Sequence, residues 1–443
     1  MAVKPESIPS RQSTFKAVLL RLWEPYRQVP LLGWLFGGFT AVILEILVGL
    51  PLARALGMPK VPALFGVVFI LKTPASIPSA ILYVLAIYIL PVAVVARVTK
   101  SFANRLAEWM QSLPLWLAEI THLALMYAVL HLWAGVSDYR LLVVRLILVA
   151  IMFTLSLNVI NGYMGEFSCS HPGFIALGAY AASAFTVVLF VDDNLFGAAL
   201  LPAAMGRFLF PIGLILGGVV AALGAILVAV PSFRTRGDYL AIISLAFMFI
   251  IKSLLENLEV VGGPRGMGGQ PDWADLPTVF LWTVLCIWII NNFVSSTLGK
   301  ALNAVRDGEL AASAMTVNTR RTKMTAFLFG AFWAGVAGGL FAHVIRYVNP
   351  GTFGITMLAE VLAMVYFGGL NSVQGSIFGA VGIQLLSEAL RPLEIYKWII
   401  IPVLLIFIMI YQPRGVLAFR EFNFKKMIQP KSSPEEEVED AVA

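Results

Sequence analysis

The sequence predicts an all-α, polytopic transmembrane helical bundle, and three observations carry that prediction. Hydrophobic residues make up 59% of the 443 and charged residues only 13%, with a mean hydropathy of +0.86; soluble domains average about 25% charged. Apolar runs of roughly 20 residues, the length that crosses ~30 Å of hydrocarbon, recur through most of the chain. The runs are continuous rather than alternating, so their backbones satisfy themselves as helices and not as barrel strands.

Taken in order, Met1–Pro30 is basic, with apolar residues at Phe15, Val18, Leu19 and Leu22, a spacing that predicts a short interfacial helix. The first span is Leu31–Leu50. Val61–Leu71, bounded by Pro62 and Pro74, is too short to cross and reads as a partial insertion. Further spans are expected at 79–97, 115–134, 141–161, 172–191, 211–230, 239–256, 278–298, 323–345, 356–371, 373–391 and 398–412, twelve in all, so both termini lie on one side. The segments that this parity makes cytoplasmic hold 20 of the 31 Lys and Arg, as the positive-inside tendency requires. The acidic run Glu435–Asp440 reads as a disordered, solvated end.

Composition shifts near residue 138. After it come Gly-rich helices at Gly173–Ser183, Phe329–Gly339 and Phe367–Gly382, and small residues let helix backbones approach closely in lipid. The expected plan is therefore a basic segment 1–30, an added three-span module 31–137, a functional core 138–418 and a tail 419–443. Cys169 and Cys286 lack metal-ligand spacing and read as packing residues. A net charge of +6 follows the cytoplasmic Lys/Arg excess and does not argue for nucleic acid.

Four stretches could carry function. Leu157–Ser183 joins two spans by a polar hairpin holding Asn161, Glu166, Ser168, Ser170 and His171; His171 has no second ligand at metal spacing. Arg234–Gly268 begins with a short turn at Arg236–Asp238, pairs Lys252 with Glu256 at i, i+4, and ends in a Gly-rich loop. That loop lacks the strand and GK[ST] of a phosphate site, so it reads as flexible, docking a partner or gating a mouth. Gly299–Lys323 is a basic island in an apolar chain. Leu302 with Val305, and Leu310 with Ala314, repeat at helical spacing while Arg306, Asp307 and Glu309 face away. Gly308 costs a continuous helix about 1 kcal/mol relative to Ala, so one kinked helix and two short ones are both open. Thr352–Gly382 places Glu360 and Tyr366 in an apolar span; Glu360 is either a functional intramembrane carboxylate or an interfacial one.

No nucleophile–base pair, zinc signature, Walker motif or paired catalytic acids occur, so the sequence points to transport powered by ions or by another chain. The core resembles the LivM-type permease subunits of ABC importers for branched-chain amino acids. The first match runs through Leu157, Asn158, Gly162, Gly165, Ser168, His171, Gly178, Ala179 and Tyr180. A second runs through Arg236–Ala241 and Gly262, Gly263, Pro264 and Gly266, a third through GKALNAVRDGELAASA, and the last through Gln412–Leu417. Pro172–Gly173 and Asp307–Gly308–Glu309 depart from the family pattern.

The resemblance implies a type II importer-like permease in the bacterial inner membrane, with no cofactor of its own. It implies a homologous second permease, two ABC ATP-binding subunits that bind the ATP, a periplasmic or surface substrate-binding protein, and surrounding lipid. It implies an ATPase-coupling loop with Arg306, Asp307, Glu309, Ala311, Ala312, Arg320 and Arg321. The substrate path would be carried by Asn158, Asn161, Ser168, His171, Tyr180, Ser244, Glu360 and Tyr366. Urea and short-amide importers share these motifs and remain an alternative cargo; a stand-alone secondary transporter is the alternative mechanism.

Overall fold

The structure is a computed structural model that describes residues 26–66, 73–192, 197–233, 239–412, 415–419 and 422–430. The expected helix through Leu22, the turn at Arg236–Asp238 and the acidic run at Glu435–Asp440 lie outside those residues. The chain divides into two units, Met1–Val136 with Asn423–Ala443, and Ser137–Phe422.

In the first unit, α1 (Leu31–Ala55), α2 (Pro74–Val98) and α4 (Leu115–Ala134) are long and apolar. Between them lies α3 (Lys100–Gln111). Its Ala103, Ala107 and Met110 repeat at i, i+4 and i+7, one face of a helix. They pack with Leu32, Ala118 and Ile428 in one cluster. Ile428 closes a five-residue helix, Phe424–Ile428. Of the expected insertion, Ala63–Gly66 is a tight turn with Leu64 and Phe65 in the left-handed region.

The second unit runs α5 (Asp138–Met164), α6 (His171–Phe190), α7 (Ala203–Ser232), α8 (Tyr239–Asn257) and α9 (Leu276–Ser295). Two short helices follow, α10 (Thr297–Asp307) and α11 (Glu309–Ala314), before the long α12 (Thr319–Ile345). The unit ends with α13 (Ile355–Gly368), α14 (Val373–Ala389) and α15 (Glu394–Tyr411). Among the described residues nine helices are long and apolar enough to cross a membrane. The three remaining expected spans, α13 to α15, are helical but shorter, at 14, 17 and 18 residues.

The centre of this unit is a ring of three glycines on α6, α7 and α12. A Cβ added to Gly178 would stand 2.1 Å from the Gly335 carbonyl oxygen, one on Gly335 2.6 Å from that of Gly217, and one on Gly217 2.7 Å from that of Gly178. Each helix therefore touches the next through bare backbone. Apolar burial gives no net drive between helices in lipid, so this proximity supplies the dispersion contact that holds them. A second glycine seam joins α13 to α14, where a Cβ on Gly368 would meet Gly375 O at 2.0 Å and one on Gly379 would meet Met364 O at 2.0 Å.

At the far end from α10 and α11, the Gly-rich loop differs from the flexible segment expected. Met267–Gly268 pairs antiparallel with Tyr347–Val348, and the Tyr347 hydroxyl donates to Arg265 O. Gly266, at φ +74, leaves no room for a side chain against Val348 O. Backbone pairing thus ties the loop to the chain after α12. Lys252 and Glu256 form the expected i, i+4 pair at 3.8 Å.

A Gly335→Val change should destabilise the chain by about 3 kcal/mol, because the Ala221 Cβ at 2.5 Å and the Gly217 carbonyl oxygen at 2.6 Å that it meets cannot rotate away. Thermal melting in detergent with size-exclusion chromatography checks this. Gly38→Ala, which meets only ordinary contact at 3.5 Å, should melt like the parent chain.

Candidate functional site

The last turns of α5 widen into a π-helical turn, Val159–Met164, which stops at Gly165 in the left-handed region. That widening presents Asn158 and Gly162 to three neighbouring segments at once. Asn158 Nδ2 faces Ser376 Oγ at 2.7 Å, Ser372 O at 3.0 Å and Gly369 O at 3.4 Å, while its Oδ1 accepts from the Asn371 amide at 3.2 Å. One amide side chain therefore holds the whole turn between α13 and α14.

The segment after α15 lies on the same turn. Val416, Leu417 and Phe419 donate backbone hydrogen bonds to Phe367, Gly368 and Leu370. Gly415 adopts φ +87, and a Cβ there would lie 2.4 Å from Gly369 Cα.

The hairpin between α5 and α6 is cross-bonded. Asn161 Oδ1 accepts from Ser168 N at 3.2 Å, Ser168 Oγ lies 2.8 Å from Ser170 Oγ, and Ser244 Oγ on α8 accepts from Cys169 N at 2.8 Å. His171 Nε2 lies 2.8 Å from Ser156 Oγ, which also lies 2.9 Å from Phe153 O. The tautomer of the ring sets which group donates across that pair, and Nδ1 is a buried ring nitrogen without a partner. Among the described residues, no group of three or more His, Cys, Asp or Glu could hold a metal.

Two cations lock the basic loop to this hairpin. Arg306 Nη1 donates to Gly162 O at 3.4 Å, and its stem fills the space beside Gly165, where a Cβ would lie 2.4 Å from Arg306 Cγ. Its guanidinium also lies over the Phe419 ring at 5.2 Å. Lys323, buried at the start of α12, donates to Glu166 Oε1 of the hairpin at 2.6 Å and to Glu309 Oε2 of α11 at 2.9 Å.

The expected facing of the loop is half right. Leu302 and Val305 are buried. Leu310 is 81% exposed, however, while Arg306 points inward and Glu309 is held by Lys323. Helical phase explains the difference: Glu309 follows Leu302 by seven residues and Val305 by four, which is the inner face, and Leu310 lies about 100° round from it. The extended backbone of Gly308 separates α10 from α11. The exposed side of α11 carries Leu310, Ala311 and Met315, with Arg320 and Arg321 exposed beyond them; Ala312 is buried.

Asn161, Ser168, His171 and Ser244 thus bond in separate sets at the α5–α6 hairpin, while Asn158, just before it on α5, bonds the turn between α13 and α14. Tyr366 stands at the same end of the unit, on the last turn of α13. Tyr180 does not join them: its ring packs on Phe353 and its hydroxyl faces Val348 O at 3.5 Å, at the opposite end. Glu360 is also apart, paired with Lys397 at 2.8 Å.

The sequence reading missed Ser156, Asn371, Ser372 and Ser376, which look like ordinary helix-start polar residues until Asn158 reaches them. It missed the Lys323 bridge as well. It also missed a buried pair in the core, His343 Nε2 with Thr186 Oγ1 at 2.9 Å. A histidine in the small-residue helix after Phe329 was the available signal.

Residues 139–409 match the family model described as branched-chain amino acid transport system / permease component. The chain is 30% identical over 310 residues to the high-affinity branched-chain amino acid transport system permease protein LivM of Escherichia coli K12, covering 62% of this chain and 69% of that protein. It is also 30% identical over 305 residues to LivM of Salmonella typhimurium, covering 61% and 68%. No solved structure matches.

Asn158→Asp should cost about 3 kcal/mol, because both amide protons are lost and a carboxylate oxygen is set against the carbonyls of Gly369 and Ser372. Ser376→Ala, which removes one acceptor, should cost about 1 kcal/mol. Thermal melting of the two variants side by side gives the ratio.

Proposed function

We propose a function from one established premise: the chain belongs to the family of permease components of branched-chain amino acid transport systems. It is a multi-pass membrane protein and a transport subunit rather than an enzyme. On our reading it is a permease subunit of an ABC importer that carries branched-chain amino acids across the bacterial inner membrane, with both termini cytoplasmic. It works with a homologous second permease, two ABC ATP-binding subunits that hydrolyse ATP, and a substrate-binding protein. Residues 31–137 are an added module on a permease core at 138–418.

The observation that supports this reading best is the double lock between the basic loop and the α5–α6 hairpin. A subunit without its own nucleotide site must receive work mechanically. The short helix α11 offers an apolar knob, Leu310 and Met315, rimmed by Arg320 and Arg321. That combination suits a groove on an ATPase, with apolar contact at the centre and charge at the rim. Movement of α11 pulls Glu309, hence Lys323 and Glu166, while movement of α10 pulls Arg306 and Gly162. Both routes end at the hairpin holding Asn161 and His171. Asn161 Nδ2 is a donor without a partner, suited to a carboxylate, and His171 Nδ1 is a ring nitrogen without one. We assign the substrate path to that hairpin.

The test is uptake by the complete importer reconstituted in liposomes with ATP inside. Arg320→Glu with Arg321→Glu, and separately Leu310→Glu, should leave the permease in the membrane. Each should lower uptake and substrate-stimulated ATP hydrolysis at least about tenfold, the equivalent of ~1.4 kcal/mol of docking energy. Unchanged uptake in both would remove the loop from the mechanism. Lys323→Met should separate the two readouts, preserving co-purification with the ATPase while uptake falls, because its effect is on transmission and not on docking.

A further inference from the structure

The connection between α2 and α4 in the first unit is itself a helix, and its place follows from counting crossings. α1 enters the bilayer and α2 returns, so α3 stands at the face from which α1 has started and α4 is about to start. The contacts agree. At the beginning of α3 the Lys100 ammonium donates to Gln28 Oε1, and Asn104 Nδ2 donates to Gln28 O at 3.3 Å, just before α1. A Cβ on Gly33 of α1 would lie 3.7 Å from that of Ala103. At the end of α3, Met110 packs with Ala118 in the first turn of α4. Its 12 residues rise about 18 Å. The helix therefore reaches from the mouth of one span to the mouth of another, across the end of the spans rather than alongside them.

At about 100° per residue, the side chains of α3 fall into three arcs. Ala103, Ala107 and Met110 form the first, buried against α1 and α4. Leu106, Phe102 and Trp109 form the second, to one side of the first, and both rings are exposed. Ser101, Arg105 and Glu108 form the third, nearly opposite the first, and all three are exposed. A helix that meets only protein and water has two faces. Here an apolar third face is left uncovered.

Depth identifies what covers it. The Phe102 and Phe36 rings lie 6.1 Å apart, centroid to centroid. Phe36 is five residues beyond the start of α1 at Leu31, about 7–8 Å along a helix that crosses the membrane. The apolar arc reaches below the mouth of that span, to a level that lipid occupies and a soluble protein does not. Trp109 suits the same boundary, where an indole keeps one edge wet and the other apolar. Arg105 and Glu108 carry opposite charges, so the rings, and not a net attraction to anionic headgroups, make the contact.

We propose that α3 is an interfacial helix and that its partner is the lipid surface. Phe102, Leu106 and Trp109 bed into the boundary between headgroups and acyl chains, about 5–10 Å deep as such faces do, while Ser101, Arg105 and Glu108 face water. The contact forms with zwitterionic and anionic lipid alike, and it fixes the depth at which the first unit sits.

Spin labels on Phe102→Cys, Trp109→Cys, Ser101→Cys and Glu108→Cys, one at a time in the full-length chain in liposomes, test this. Oxygen concentrates in hydrocarbon and a nickel chelate stays in water, so their collision rates with each label read its surroundings. The parent chain, whose Cys169 and Cys286 are buried, gives the labelling background. The oxygen-to-nickel ratio should be several-fold higher for the first two variants than for the last two, in phosphatidylcholine alone and with phosphatidylglycerol added. Where Phe102→Cys does not fold, for want of its contact with Phe36, Trp109→Cys reads the same arc. A nickel excess at the Phe102 and Trp109 positions overturns the proposal, as does a high ratio that needs phosphatidylglycerol. So does shielding of these positions from both reagents in the complex with the ATP-binding subunits, which would make the face a protein interface.

Discussion

The second unit depends on three backbones lying in direct contact. Gly178, Gly217 and Gly335 form a closed ring in which each glycine faces the carbonyl of another. Because the ring closes, α6, α7 and α12 cannot slide independently. Register along all three is set at one level, and the side chains above and below it must match. The His343–Thr186 pair and the Phe210 ring against His343 satisfy that demand on the same three helices. Where apolar burial gives no net attraction, such close approach is what turns helices into a bundle. Around this trio α5 packs closely enough that a Cβ on Gly330 of α12 would stand 2.9 Å from Ser156 O.

That rigidity gives the charged locks their meaning. A salt bridge on a loose surface contributes little, and Glu309 is half-exposed. Lys323, however, belongs to the glycine-seated α12, and its two carboxylates come from separate segments. The bridge therefore fixes positions more than it adds stability. Glu309 stands seven residues after Leu302 and four after Val305, the spacing of one helix face, so even an unbroken helix would aim it inward, with Leu310 about 100° round from it. The break at Gly308 therefore leaves Glu309 as the inner anchor and Leu310 as the outer knob.

The fold was legible because hydropathy length and small-residue runs are local signals. Helices stand at every span position read from the sequence. The cost of glycine within a helix left one helix and two both open at Gly308, and the structure has two. The facing of Leu310 and Glu309 was misread because pairing Leu310 with Ala314 ignored the stripe set by Leu302 and Val305, on which Glu309 falls. The candidate site was half legible. Asn158, Asn161, Ser168 and His171 lie within fourteen residues, so polarity in an apolar context marks them. Asn158's partners Ser372 and Ser376 are more than 200 residues away, and nothing local distinguishes a serine that closes a network from one that caps a helix. Glu360, read as either functional or interfacial, pairs with Lys397, a partner 37 residues on that the span itself does not reveal.

The two units differ in what their helices face. The most apolar windows of α5, α6 and α12 are 83%, 67% and 72% buried within the protein, whereas those of α1, α2 and α4 are 33%, 28% and 11% buried. A helix as apolar as α4 but that little covered by its own chain presents its side chains to something else apolar. For a multi-pass membrane protein that medium is hydrocarbon. Side chains with a buried polar atom left to bond gather instead in the second unit, among them Asn161, His171 and Asn371. The unit whose helices cover one another is thus the one that keeps hydrogen-bonding groups in reserve, whereas a helix that faces hydrocarbon has no medium in which an open polar group could be satisfied.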